Sequence, residues 1–298
     1  MLVKDYEILT AKIVTMLETG TAPWQQPWKH NALGLPINAT TGVAYRGINA
    51  VVLMAEAAAR GGDPRFATFN QAKAAGWSIK KGAHGIRVVK YVTLQKKGKT
   101  PSTEGVEVSD SGTFVLPKIY YVFGAPDIDG IPERSETPEI TPRFDTDDEL
   151  RRVEQAAGVP LVFGGNRAAY NRGRDEILLP AREQFHSKES YLATLFHELG
   201  HATGHESRLN RTFGVFGDPN YAREELVAEL TSLYVGAATG VMPDKAHVAQ
   251  HAAYVDNWLE VLKKDPKALT QAASLAQKAS DWLLEKITGV RRDPPVEE

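Results

Sequence analysis

The residues with the clearest chemistry are His197, Glu198 and His201, an H-E-x-x-H sequence inside the run YLATLFHELGHATGH at 191–205. On a helix, positions four apart lie one above the other, so the two imidazoles point the same way and can hold one zinc ion. Glu198 then lies beside them, placed to take a proton from an attacking water. That chemistry requires a helix, and the sequence supplies one. Leu192, Leu195, Phe196 and Leu199 recur at spacings of three and four, an apolar helical stripe. The alternative is a helix with two solvent-facing histidines, which needs no metal and leaves the spacing to chance.

A catalytic zinc takes three protein ligands and keeps one position open, so a third donor must come from another element. The next strong helical stretch, 223–239, carries Glu224, Glu225 and Glu229. Glu225 and Glu229 are four apart and share a face, beside an apolar stripe of Leu226, Leu230 and Leu233. Glu229 is favoured as the ligand. Glu225 stays open as the alternative, or as a partner that orients a histidine. His205 lies one turn beyond His201 but is rotated away from His197, and reads as a surface or orienting histidine. Ser207 stands where a metzincin pattern would have its third histidine, which disfavours that group. Tyr170, Tyr221 and Tyr234 each offer a phenol to a developing oxyanion, and the sequence does not choose among them. With these groups the reaction would be metal-assisted hydrolysis, and the strand ending at Leu179-Pro180 could hold an extended peptide by edge pairing.

These groups must be positioned by a soluble globular framework. The chain has 298 residues, enough for two ordinary domains or one large one, with 42% hydrophobic and 24% charged residues. No apolar stretch approaches a membrane span, and the opening MLVKDYEILTAKIV lacks the core of a signal peptide. With no cysteine, disulfides and thiolate metal sites are excluded. Together these features place the protein in the cytoplasm, away from membranes.

Local patterns divide the chain into two units. An amphipathic helix is expected over 4–19, and a helix capped by Asn49 runs to Ala59. Strands at 86–94 and 114–123 form a hairpin with a long tip. The proline-rich, polar segment 126–145 reads as a linker between a unit at 1–125 and one at 146–298. The second unit opens with a helix at 146–156, followed by short strands at 161–165, 169–170 and 176–179. The metal-motif helix, capped by Ser187, comes next, and helices at 223–239, 246–262 and 267–287 complete an α+β chain.

The net charge of −2 hides an asymmetry: residues 1–125 hold 15 basic and 8 acidic residues, leaving 20 basic and 29 acidic for the remainder. Ten of the cations fall within 60–99 against the single acid Asp63, with Phe66, Phe69, Trp77 and Tyr91 interleaved. Cations that neutralise phosphates, with rings on which bases stack, are what single-stranded nucleic acid binding needs. The candidate contacts are Trp24, Trp28, Tyr45, Arg46, Trp77, Lys80, Lys81, Arg87 and Lys90. A solvated charged face over core aromatics is the competing reading. Trp24 and Trp28, each following a proline, suit loop packing as well as base stacking.

The motifs also carry a family resemblance. Pro23-Trp24 with Pro27-Trp28, Thr41-Gly42 through Tyr45-Arg46-Gly47-Ile48-Asn49, and Thr68-Phe69-Asn70-Gln71-Ala72 leading to Gly76-Trp77 and Lys81-Gly82 mark the first half. His197 to His205, Ser207-Arg208-Leu209-Asn210-Arg211 and Glu224 to Leu230 mark the second. On these the chain resembles the ArdC antirestriction proteins of conjugative plasmids, and is similar to the N-terminal part of TraC-type plasmid primases. The resemblance implies an N-terminal mixed α/β domain binding single-stranded DNA and a C-terminal zincin-like metallopeptidase domain. It also implies a role in protecting incoming plasmid DNA from host restriction, with a host restriction protein as the conceivable peptidase target. By that pattern His197, His201 and Glu229 are the ligands of a zinc ion, replaceable by manganese or another divalent metal, and Glu198 is the catalytic glutamate. The competing functional reading is a protein that shields DNA without catalysis, its zincin half a structural or docking module.

Overall fold

Helix α1 (Val3–Glu18) buries Leu9, Ile13 and Leu17, one residue per turn along a single stripe. The computed structural model describes residues 3–19, 34–95, 107–108, 113–134, 147–156, 158–214, 218–241 and 255–290. Trp24 and Trp28 fall outside them. Next come β1 (Ile37–Asn38), α2 (Gly47–Ala59), β2 (Arg65–Thr68), α3 (Phe69–Ala74) and β3 (Ser78–Ile79). The unit closes with β4 (Ile86–Gln95), β5 (Glu107–Val108), β6 (Thr113–Gly124) and β7 (Ile128–Asp129).

The main sheet has the order β1-β2-β6-β4, with β5 on the edge of β6 and the expected β4–β6 hairpin antiparallel through Arg87↔Tyr121 and Lys90↔Lys118. Asn49 departs from its expected role. Helix α2 starts two residues earlier, at Gly47, and the Asn49 amide spans to β4 instead, donating to the Val89 carbonyl at 2.7 Å and accepting from its N–H at 2.8 Å. A half-buried amide that both donates and accepts ties the helix to the sheet, which a cap would not do.

The expected linker begins too early at 126. Ile128 is buried, and β7 pairs with β3, so this stretch completes the first unit. Within the described residues the chain resumes with α4 (Asp147–Gln155), β8 (Leu161–Phe163), β9 (Ala169–Asn171) and β10 (Glu176–Leu179). Helices α5 (Lys188–Ala202), α6 (Pro219–Thr239), α7 (Val255–Lys264) and α8 (Ala268–Thr288) follow. Ser187 caps α5 as its sequence predicts, and Gly240 ends α6 in the left-handed region at φ 77°. The small sheet has the order β8-β10-β9. The strand at 176–179 is therefore central, paired on both sides, and cannot accept a peptide; the outer strands are β8 and β9.

The two units share one core. Leu9, Ile13, Leu53, Phe66 and Val88 from the first half pack in the same cluster as Leu226, Leu230, Leu233, Tyr234, Trp258 and Leu269 from the second. Polar contacts cross the same boundary: Tyr234 Oη donates to the Gly47 carbonyl at 2.9 Å, Gly47 N–H donates to Gln277 at 2.9 Å, and Arg46 pairs with Asp281. Leu230→Ala is expected to cost about 2–5 kcal/mol. The loss should register equally in hydrogen exchange of β4 and of α5, within one unfolding transition. Two separated transitions would show that the halves fold independently.

Candidate metal centre and nucleic-acid face

Helices α5 and α6 run antiparallel and touch closely because Gly200 has no side chain. A Cβ there would stand 3.1 Å from Ala228 Cα and 3.3 Å from its carbonyl oxygen. Ser232 reinforces the contact by donating to the Ala193 carbonyl at 3.0 Å. The approach brings three glutamates of α6 against the two histidines of α5, and each takes a different place.

His197 Nε2 and His201 Nε2 are 3.1 Å apart, and the Glu225 carboxylate lies 3.5 Å from each. Ligand bonds of about 2.0–2.1 Å in a tetrahedral arrangement put neighbouring donors roughly 3.3 Å apart, so this triangle has the dimensions of one face of such a site. Among the described residues this is the group of histidines and carboxylates whose donor atoms converge enough to hold a metal ion. Glu229, expected from the sequence as the ligand, instead faces His197 Nδ1 at 3.4 Å. Glu224 faces His201 Nδ1 at 3.4 Å. The hydrogen bond of Glu224 to His201 Nδ1 fixes that ring and leaves its Nε2 for the ion, while Glu229 lies behind His197 as a near charge.

Arg211 holds this arrangement from behind. Its guanidinium donates to both oxygens of Glu224, at 3.0 and 2.6 Å, to Thr203 Oγ1 at 2.7 Å, and to the Gly200 carbonyl at 2.7 Å. Burial opposes the ionised form of Glu224, but His201 and Arg211 hold its carboxyl below the usual range. Glu225 is likewise pushed down against its burial by the two histidines. Burial opposes the charged form of His201, but Glu224 and Glu225 raise it well above its ordinary value. Glu198 is buried at the floor of a cleft of about 730 Å³, which Tyr170, Phe185, Phe213 and Tyr221 also line.

Of the phenols, Tyr234 is engaged in the shared core at Gly47. Tyr170 donates to Asp175 at 2.6 Å beside Arg208, and Tyr221 remains at the cleft wall. His205 sits apart from the donors, with Nδ1 against Ser207 Oγ at 2.8 Å. Sequence reasoning named Glu224 among the acids of this helix without giving it a role, and missed Arg211 and Phe213. The motif Ser207 to Arg211 was the available signal for the arginine.

In the first half, several expected DNA contacts turn inward. Tyr45 packs edge-on against Phe66 at 6.3 Å, and burial pushes its phenol up to about 12. Arg46 is the partner of Asp281, and Trp77 packs on the cluster of Ala72 and Ile128. Lys80 donates to the Pro126 carbonyl at 2.9 Å, while Lys81 is exposed. Arg87 lies over the Tyr121 ring at 5.9 Å, and Lys90 pairs in register with Lys118. The sheet instead exposes Tyr91 and Tyr121 on the face of Arg87 and Tyr120 on the face of Lys90 and Lys118, with Phe69 exposed at the start of α3. Tyr120 and Tyr121 were absent from the sequence candidates, because in a strand of alternating aromatics and aliphatics the outward face is set by pairing.

Comparison with known proteins agrees with both halves. A family model for the N-terminal domain of anti-restriction factor ArdC matches residues 4–123, and one for a zincin-like metallopeptidase domain matches 148–275. The metal-free crystal structure of the antirestriction ArdC protein from plasmid R388 superposes with a TM-score of 0.76 at 36% identity, covering 96% of this chain and 99% of that one. The chain belongs to the ArdC family. A Mn(II)-bound structure of the R388 ArdC protein matches equally well, with a TM-score of 0.76 at 37% identity over 95% of this chain and 98% of that one. Among sequence relatives, the uncharacterized protein y4eC of Sinorhizobium fredii is 31% identical over 93% of this chain and 91% of its own length. Two DNA primases TraC of Escherichia coli are 38% and 37% identical over 94% of this chain, which spans only 27% and 20% of their lengths. No helix among the described residues of this ArdC-family chain is long and apolar enough to cross a membrane.

Two outcomes test the site. Glu225→Ala should abolish uptake of a divalent ion, measured by titration calorimetry, while Glu229→Ala should weaken it by about 10–100-fold. Retention by Glu225→Ala with loss in Glu229→Ala would return the ligand role to Glu229. The second concerns Asp175, at φ 49° in the turn between β9 and β10. Its hydrogen bond with Arg208 lowers its carboxyl from 3.8 to about 2. A depressed folded value means the stabilisation is full above the ordinary value and is lost as pH falls through about 2. Asp175→Asn keeps the turn and removes the charge, so it should be less stable than the parent at pH 7, by urea unfolding. The difference should shrink towards pH 2.

Proposed function

We propose that this protein is a metal-dependent peptidase of the ArdC family whose N-terminal sheet holds single-stranded DNA, and that it protects incoming plasmid DNA from host restriction. The observation that carries the hydrolytic half is the convergence of His197 Nε2, His201 Nε2 and the Glu225 carboxylate beside Glu198 in an open cleft. Two nitrogens and a carboxylate are a zinc donor set, and the Mn(II)-bound R388 relative supports a divalent ion in this class of site. When bound, such an ion supplies Lewis acidity. Glu198 accepts the proton of the attacking water and returns it to the leaving amine. Glu224 keeps the His201 imidazole in the tautomer that leaves Nε2 free, and Glu229 sets a carboxylate behind His197. A protein of the host restriction system is the proposed substrate.

The DNA half rests on Tyr91 and Tyr121, exposed on the face of the β4–β6 hairpin that carries Arg87, with Tyr120 and Lys118 exposed on the opposite face. Rings stack bases and cations meet phosphates, so affinity should fall steeply with salt. This patch also supports a second reading, in which protection comes from DNA binding alone. Glu198→Gln separates the two. It should retain the ion and single-strand affinity, lose peptide hydrolysis, and lose protection in a mating assay with a restricting recipient. Full protection by that variant would leave DNA shielding as the function.

A further inference from the structure

Arg167 and Arg172 stand just before and just after strand β9, and both line the mouth of the metal cleft. Both are exposed, and neither makes an ion pair among the described residues. Their neighbours behave differently: Arg174, Arg182, Arg208 and Arg211 each face a carboxylate of this chain. Arg172 is nevertheless held in place, its guanidinium over the Phe213 ring at 4.5 Å. The acids of the cleft, Glu198, Glu224 and Glu225, lie buried at its floor. The mouth is thus cationic over an acidic floor, and its cations have no counter-charge from within.

Between the two arginines runs β9, the outer strand of the small sheet that packs beside α5. An outer strand presents N–H and C=O groups with the spacing of a polypeptide backbone. Asp175, Tyr170 and Arg208 brace its far end, so this edge is fixed before anything binds. We infer that the cleft takes an extended polypeptide segment bearing acidic side chains, pairing along β9 and setting carboxylates against Arg167 and Arg172. The arginines flank the three strand residues 169–171, each about 3.3 Å long, so acids set against both lie roughly four to six residues apart on a paired chain. A nucleic acid strand would meet the same charges but has no groups to match the strand edge, and Arg172 already covers the Phe213 ring on which a base would stack. The inference rests on the hydrolytic reading for any cleavage of the bound segment; the recognition itself is separable.

The test uses the full chain as Glu198→Gln, loaded with zinc, and fluorescein-labelled decapeptides with two aspartates five positions apart or with asparagines in their place. Fluorescence anisotropy at low salt should show the acidic peptide binding about tenfold more tightly than its amide counterpart, as two exposed charge pairs allow. Adding Arg167→Glu, which disturbs no internal contact, should reduce the preference about threefold, and adding Arg172→Glu as well should abolish or reverse it, with zinc content unchanged. Equal affinity for the two peptides, or a preference that survives both substitutions, would overturn the inference. So would displacement of the acidic peptide by an oligodeoxythymidine whose binding those substitutions remove, which would assign the arginines to phosphate. If zinc-loaded wild type cleaves both peptides at equal rates, the acidic preference fails and the peptidase reading stands. Tight arginine-dependent binding of the acidic peptide without cleavage of either peptide sustains the inference and overturns the peptidase reading.

Discussion

Everything in the second half depends on how closely α5 and α6 approach at Gly200 and Ala228. The contact sets the distance and register at which carboxylates of one helix meet imidazoles of the other. It also creates an electrostatic problem that the fold alone leaves unsolved. Among the described residues, Glu198, Glu224, Glu225 and Glu229 are all buried at this site, against one buried guanidinium, Arg211. Buried charges of one sign are costly unless compensated, by several kcal/mol each in order of magnitude. A proton on His201 is the compensation the chain itself supplies. A divalent cation at the three donors would compensate more fully, so that binding it and stabilising the α5–α6 contact are the same event.

Helix α6 has a second face, which ties that event to the rest of the molecule. Its Leu226, Leu230, Leu233 and Tyr234 lie in the core built by α1, α2 and the large sheet, while Glu224, Glu225 and Glu229 look at α5. An amphipathic helix normally divides core from solvent. Here the division is between a shared apolar core and a polar metal site, and α6 is buried along nearly its whole length. The ArdC-like N-terminal half and the zincin-like half are therefore distinct in sequence pattern but joined in packing, through a wall one helix thick.

Most local signals in the sequence held, the Asn49 cap excepted, whereas relative placement was not legible. The stripe of Leu192, Leu195, Phe196 and Leu199 and the Ser187 cap located α5, because both depend on spacing within a few residues. Glu225 and Glu229 could not be separated in that way, since residues four apart share a face. What distinguishes them is the antiparallel register of α6 on α5, which puts Glu229 a turn too far, behind His197. The strand at 176–179 was found, but whether it lay at the edge or the centre was decided by β8 and β9 pairing on either side. Ile128 shows the same limit: a lone apolar residue among prolines reads as linker until β3 is there to pair with it. Tyr45, Arg46 and Trp77 have the composition of a nucleic-acid surface, yet Phe66, Asp281 and the Ala72–Ile128 cluster claim them.

Arg211 shows how the register, once formed, is held. One guanidinium takes the Gly200 carbonyl near the end of α5, the Thr203 hydroxyl beyond it and both oxygens of Glu224 on α6. The first two contacts add to the bond that Thr203 Oγ1 donates to the Gly200 carbonyl at 2.6 Å, and the last is a bidentate, charge-assisted pair. Because the guanidinium is planar, these bonds fix the angle as well as the separation of the two helices, which a lysine ammonium could not do. Glu224 is thereby immobilised from one side and holds His201 Nδ1 from the other. The orientation of the second imidazole of the motif is thus determined by a residue ten positions after it in the chain, outside the H-E-x-x-H pattern altogether.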